Sequence, residues 1–186
     1  MPGSSTKRLG RQKPRDRGAG EPGFAPGSRP RTRFIVDAML GSLARKLRAF
    51  GFDAAYYSSG DDAGLLERSV REGRIILTAD RTLATRSGMK GFRAILVTGD
   101  SDRERVRSIA VGAEAGGIEL VRGDPLCSLC GGDLRLVRKD EVSAEVPPAV
   151  GRRHRLFFKC GSCGQLYWHG SHWKKLMSVA RRLDDR

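Results

Sequence analysis

Residues 33–52 read RFIVDAMLGSLARKLRAFGF, and the fold follows from how this stretch is read. Phe34, Ile35 and Val36 form a short β-branched and aromatic run that ends in Asp37. The apolar spacing then becomes helical, with Leu40, Leu43, Ala44, Leu47 and Phe50 on one face. A buried strand therefore feeds an amphipathic helix. Gly51 stands just past the last apolar contact, where a stopping helix often needs a left-handed residue, and 52–57 resumes a strand-like pattern. This is a βαβ opening with a carboxylate at its hinge. In open parallel sheets ligand chemistry collects beyond the carboxyl ends of the strands, where loops converge on helix N-termini. Asp37 is expected at such an end.

Toward the N-terminus, residues 1–32 are dense in Gly, Pro, Ser and Arg and contain one aromatic, Phe24. Too little apolar surface is present to offset the entropy of ordering them, so they are expected to form a disordered basic tail. Toward the C-terminus, Asp61 and Asp62 open a second helix, with Leu65, Leu66, Ser69 and Val70 toward the sheet and Gly73 closing it. The continuous run Ile75, Ile76, Leu77 predicts a strand over 74–78 buried on both faces, with Asp80 just beyond it. A weaker helix is predicted over 82–86 and a strand over 94–97. Ser101 and Glu104 have capping-box spacing ahead of Val106, Ile109 and Ala110, and a last strand over 118–121 should complete the sheet. Regular alternation of strand and helix predicts an α/β domain, a parallel sheet sandwiched by helices, over 33–124.

The formal charge of +14 is unevenly distributed. Residues 1–33 carry net +7, residues 34–124 net +1 and residues 125–186 net +6. A near-neutral centre with basic flanks suits a polyanionic partner held by the flanks. No apolar run reaches the roughly 18 residues of a membrane span, and the N-terminus lacks the apolar core of a secretory signal. The chain is thus expected to be cytoplasmic and to have no membrane partner.

Asp37, Asp80 and Asp100 each follow a predicted strand, and Asp61 or Asp62 opens the helix after another. Carboxylates gathered at one sheet edge repel one another unless a cation lies between them. Mg²⁺ or Mn²⁺ would suit, since hard ions take oxygen ligands and can activate water for phosphodiester cleavage. Taken singly, most of these residues also fit helix capping or first-turn positions.

All four cysteines fall in two C-x-x-C-G turns, Cys127 with Cys130 and Cys160 with Cys163. Two such turns supply a Cys₄ site for Zn²⁺, and four thiolates leave no open position, so the metal should be structural. A small zinc-ribbon module is therefore expected over 125–178, with Pro147 and Pro148 in a loop bulging between its halves, and a charged tail over 179–186. Trp168, His169, His172 and Trp173 follow the second turn, beside Lys174 and Lys175. They suit either of two roles, covering a small core or stacking on unpaired bases while the lysines meet phosphate.

RFIVDAMLGSLARKLRAFGFDA, DDAGLLERSVREGRIILTADRTL, the paired C-x-x-C motifs and YWHGSHW, taken together, resemble the Mut-seven C-terminal RNase domain family from about Arg33 to Met177. That resemblance implies a PIN-like sheet with an appended zinc ribbon and metal-dependent cleavage of RNA. It carries the acidic PIN pattern onto Asp37, Asp62 and Asp80, and Asp100 matches by its place after a strand. Gly64 departs from the helix-favouring residue expected there, so Asp61 and Asp62 both stand as candidates. Two other functions fit less of the pattern: a non-catalytic RNA-binding adaptor, and a receiver-like phosphoacceptor built on Asp80 and Thr98. Neither small-molecule cofactors nor a protein partner are indicated.

Overall fold

The structure, a computed structural model, describes residues 31–183. Most of the expected basic tail, 1–30, and the last residues, 184–186, lie outside the described residues. β1 (Arg33–Val36) passes through a 3₁₀ turn (Ala38–Leu40) into α1 (Gly41–Ala49), followed by β2 (Asp53–Tyr56), α2 (Asp62–Glu72) and β3 (Ile75–Thr78). Then come α3 (Arg81–Met89), β4 (Ala94–Leu96) and α4 (Asp102–Ala115). The C-terminal part contains β5 (Leu134–Arg138), α5 (Lys139–Val142), α6 (Pro148–Arg153), β6 (Leu156–Cys160), β7 (Leu166–Tyr167) and α7 (Ser171–Ala180).

The first four strands form one parallel sheet in the order β2-β1-β3-β4. Strand alternation divides its side chains between two layers. Phe34, Val36, Ile75, Leu77 and Ile95 meet Leu43 and Leu47 of α1 and Val106 and Ile109 of α4. On the opposite face Ile35 and Ile76 meet Leu65 of α2 and Leu83 of α3. The domain is therefore a helix–sheet–helix sandwich, as the alternation implies. Arg74 ties the amino ends of three strands together, since its guanidinium donates to the Phe34 carbonyl at 3.1 Å and to Asp53 Oδ1 at 2.9 Å.

Several local expectations are corrected. Residues 118–121 do not extend the sheet. Their polar groups bond Thr32 instead: its amide donates to the Val121 carbonyl at 2.8 Å, and its hydroxyl accepts from the Val121 amide at 2.9 Å. Ile118 and Leu120 still pack on the α1/α4 side of the core, so the alternation that suggested a strand is satisfied by packing alone. Thr32, assigned by composition to the tail, belongs to the folded domain through these same bonds. Val70 is 65 % exposed, and Ser69 takes the inward position because its hydroxyl can donate to the Arg74 carbonyl at 2.8 Å. α3 is also longer than its weak pattern suggested.

β5, β6 and β7 make a separate antiparallel sheet. In place of a bulging loop, the insertion between the cysteine pairs supplies α5 and α6, whose Val142 and neighbouring Val146 and Val150 cover Val137 and Phe157. α7 then returns to the first domain. Leu176, Met177 and Val179 pack against its core, and Ala180 and Leu183 are buried in it, which removes residues 179–183 from the expected charged tail. Among the described residues no helix is long and apolar enough to cross a membrane.

Candidate functional site

Parallel order with β1 and β3 adjacent, and β2 to the other side of β1, puts the reversal of strand order between β1 and β3. Loops leaving such neighbours in opposite directions open a crevice at their carboxyl ends. Asp37 directly follows β1 and Asp80 follows β3 by two residues, so both stand at this crevice. Thr78, the fully buried last residue of β3, joins them: its hydroxyl donates to Asp37 Oδ2 at 2.7 Å and accepts from the Asp80 amide at 3.0 Å. Asp80 Oδ1 in turn accepts from the Thr82 and Leu83 amides at 2.7 and 3.1 Å, capping α3. Each carboxylate is thus fixed through one oxygen, and its other oxygen has no partner among the described residues.

Asp61 and Asp62 separate cleanly. Asp61 is the N-cap of α2, where Oδ1 accepts from the Gly64 amide at 2.6 Å and Oδ2 accepts from the Tyr57 and Ser59 hydroxyls, each at 2.7 Å. Those bonds, the Tyr57 hydroxyl first, bring its carboxyl down to about 2. They also explain Gly64, because a Cβ there would lie 2.1 Å from the Tyr57 hydroxyl oxygen. Asp62 has no capping duty and forms an ion pair with Arg86 of α3. Asp100 is exposed beyond β4, and its amide donates to Glu104 Oε2 at 3.0 Å beside the Ser101 capping box.

The described aspartates do not form a closed acidic cage. Among the described residues, the one group of three or more potential ligands lying within 4.8 Å of one another is Cys127, Cys130, Cys160 and Cys163. Their sulfurs approach to 3.6 Å (Cys127 to Cys163) and 3.5 Å (Cys130 to Cys160). Zn–S bonds of about 2.3 Å in a tetrahedron require sulfurs about 3.8 Å apart, so the cluster could hold zinc. The Gly132 and Cys163 amides point at Cys130 and Cys160 sulfur at 3.4 and 3.5 Å, the turn geometry expected of knuckles. Burial alone would raise the Cys127 thiol, but the Tyr167 hydroxyl at 3.1 Å and local amides outweigh it and bring it to about 6. Although the Gly132 amide lowers the Cys130 thiol, burial and the three neighbouring sulfurs push it up to about 12. All four sulfurs could ionise together only with a cation between them.

The aromatic tail divides. Trp168 packs with Val137, Val142 and Phe157 and so covers the small core. His169 lies 4.8 Å from Phe158 and stacks on Trp173 at 5.1 Å with 17° between the planes. Lys174 and Lys175 are exposed on α7, and the side chain of His172 lies outside the described residues. Sequence reasoning missed Thr78, Arg86 and Arg48. The first had a signal, a lone hydroxyl ending an apolar buried strand. Arg48 had none: its guanidinium donates to the Ala54, Ser128 and Leu129 carbonyls at 2.7, 3.2 and 2.9 Å, clamping the first cysteine turn to α1 and β2.

Comparison with curated proteins and with solved structures gives no match. The family model of the Mut7-C RNAse domain matches residues 32–180. That span runs from the residue before β1 to the end of α7 and includes every aspartate and cysteine just described, and the chain belongs to the Mut7-C RNAse domain family.

Proposed function

We propose that the chain is a metal-dependent endoribonuclease of PIN-like type, with Asp37, Asp62, Asp80 and Asp100 at its active edge and a structural zinc ribbon that aids RNA binding. Family membership supports an RNase role with RNA as the substrate class. One observation carries the assignment of the edge: Thr78 bridges the Asp37 carboxylate and the Asp80 amide at the crevice, and each aspartate keeps one oxygen without a partner among the described residues.

Mg²⁺ or Mn²⁺ suits this donor set, because such ions keep several waters and need few protein carboxylates. Bound by Asp37 and Asp80, with Asp62 and Asp100 as further ligands, the ion would polarise the phosphodiester and activate a water. The chain's own residues prepare that site. Thr78 fixes the Asp37 rotamer, and the α3 amides hold Asp80 where the helix dipole favours negative charge. Arg86 balances Asp62 and presents a guanidinium at the same edge, suited to a phosphate oxygen. The core, at net +1, attracts a polyanion weakly, so the basic flanks supply most of the attraction. Unpaired cysteines suit a reducing, cytoplasmic setting.

Single-turnover cleavage of single-stranded RNA with Mg²⁺, Mn²⁺ or no divalent ion tests this reading. Asp37→Asn and Asp80→Asn should each slow cleavage by at least about a hundredfold, the scale of one oriented electrostatic group. Both keep the acceptor oxygen that Thr78 or the α3 amides need, so the fold should survive. Wild-type rates in both variants would refute the aspartate edge.

A further inference from the structure

A cavity of about 300 Å³ opens on the cysteine module, and no residue of the aspartate edge lines it. Its floor follows from strand register. Leu136 of β5 faces Phe158 of β6, and Leu156, two residues earlier, shares that side of the sheet. At the other end of the same face Leu134, Cys160, Cys127 and Tyr167 pack around the thiolates. Leu136 and Leu156 are left 50 % and 36 % exposed, so this face of the sheet keeps apolar surface open beside Phe158. His169 adds an aromatic wall, with its ring 4.8 Å from that of Phe158. Arg153 and Arg155 line the mouth, both exposed, and neither has a carboxylate partner among the described residues.

We propose that this cavity takes one unpaired nucleotide of single-stranded RNA, its base against Phe158 and His169 and its phosphate at Arg153 and Arg155. The assignment rests on the ribonuclease reading for the identity of the polymer. An apolar floor, a ring wall and a cationic mouth match the three parts of a nucleotide, since a base offers a flat π-face and its phosphate an anion for guanidinium. The volume lies at the small end of ligand pockets, which span about 300–1,000 Å³, and so suits a single nucleotide. Duplex RNA cannot enter because its bases are already stacked on one another. Cationic charge continues past the His169–Trp173 stack to Lys174 and Lys175, which favours a polymer over a free mononucleotide.

The test is equilibrium binding of labelled U₈ and A₈, a 12-base-pair RNA duplex, and uridine and adenosine monophosphates to the zinc-loaded full chain without added divalent ion. Arg153→Ala/Arg155→Ala and His169→Ala are compared with wild type, and zinc content and melting temperature are recorded for each. Each variant should weaken octamer binding about tenfold, the contribution of one stacked base or its phosphate contacts, with the duplex changed less than about twofold. The mononucleotides should bind far more weakly than the octamers. Octamer affinity unchanged in the arginine variant, equal losses for octamer and duplex, or mononucleotides binding as tightly as octamers would each overturn the proposal. Because both arginines are exposed, that variant reports even if His169→Ala fails to fold. Should the pocket variants lose octamer binding while wild type never cleaves RNA, the nucleotide site stands and the ribonuclease reading falls.

Discussion

Thr78 shows how much chemistry one side chain can organise. It is wholly buried at the end of an apolar strand, and its hydroxyl is both donor to Asp37 and acceptor from the Asp80 amide. Burying a hydroxyl is costly unless it is paired, and here the pairing orients the Asp37 carboxylate and anchors the backbone of Asp80, whose own carboxylate is set by the α3 amides. The positions of Asp37 and Asp80 were legible in sequence because strand ends can be read from apolar runs. The different bonding of Asp61 and Asp62 was not, since it depends on Tyr57 and Ser59 from the preceding segment and Arg86 from the following helix. Asp61 yields a pH prediction. Its carboxyl is lowered from 3.8 to about 2 in the folded state, so its stabilising effect is complete above pH 3.8 and fades as the pH falls toward 2. Asp61→Ala should therefore melt below wild type at pH 7, by a modest margin because the group is exposed, and the gap should close between about pH 4 and 2. Thermal melts across that range decide it; a gap persisting at pH 2 would mean that charge is not what the cap contributes.

At the scale of elements, the βαβ alternation was readable because each strand and helix of the sandwich has its own period. What failed to read was pairing at a distance. Residues 118–121 carry a strand's alternation, yet the groups they bond belong to Thr32. The segment between the cysteine pairs looks like a proline-bearing loop, but it supplies the valines that cover Val137 and Phe157. Neither partner can be inferred from local periodicity. Arg48 gives this scale its prediction. Three carbonyls depend on its guanidinium, two of them in the Cys127–Cys130 turn, so the four-cysteine cluster and the α/β domain should be energetically linked. Arg48→Ala should cost about 2–3 kcal/mol, as for a charged hydrogen-bonding group removed from a partly buried site. It should also speed zinc loss to a chelator, while Arg48→Lys, with no fork to span three acceptors, should restore little. Chelator kinetics alongside thermal melts would show this, and unchanged zinc release in Arg48→Ala would separate the two modules.

For the whole molecule, the important feature is that the chain closes on itself. α7 leaves the cysteine module and packs Leu176, Met177 and Val179 on the α1/α4 side of the sheet, so the C-terminal helix completes the core of the α/β domain while the cysteine module keeps clusters of its own. Sequence composition pointed to a charged tail there because Arg181, Arg182, Asp184 and Asp185 surround the one buried leucine, Leu183. Charge is segregated as well, +1 at the centre against +7 and +6 at the flanks. Deleting residues 1–30, or replacing Lys174 and Lys175 by Ala, should weaken RNA binding and flatten its salt dependence, by about 0.7 in log–log slope for each phosphate no longer neutralised. Cleavage of already bound RNA should change much less. A salt titration of affinity checks this, and an unchanged slope would assign RNA attraction to the central domain.

Divalent-ion binding at the aspartate edge is the most direct test of the proposed function. Mn²⁺ titrated into zinc-loaded protein, with free Mn²⁺ followed by electron paramagnetic resonance, should show saturable binding in wild type. That binding should weaken at least about tenfold in Asp37→Asn and in Asp80→Asn and persist in His169→Ala, which lies outside the edge. Absence of Mn²⁺ binding in wild type, or binding as tight as wild type in both aspartate variants, would contradict a metal-dependent nuclease site built on Asp37 and Asp80.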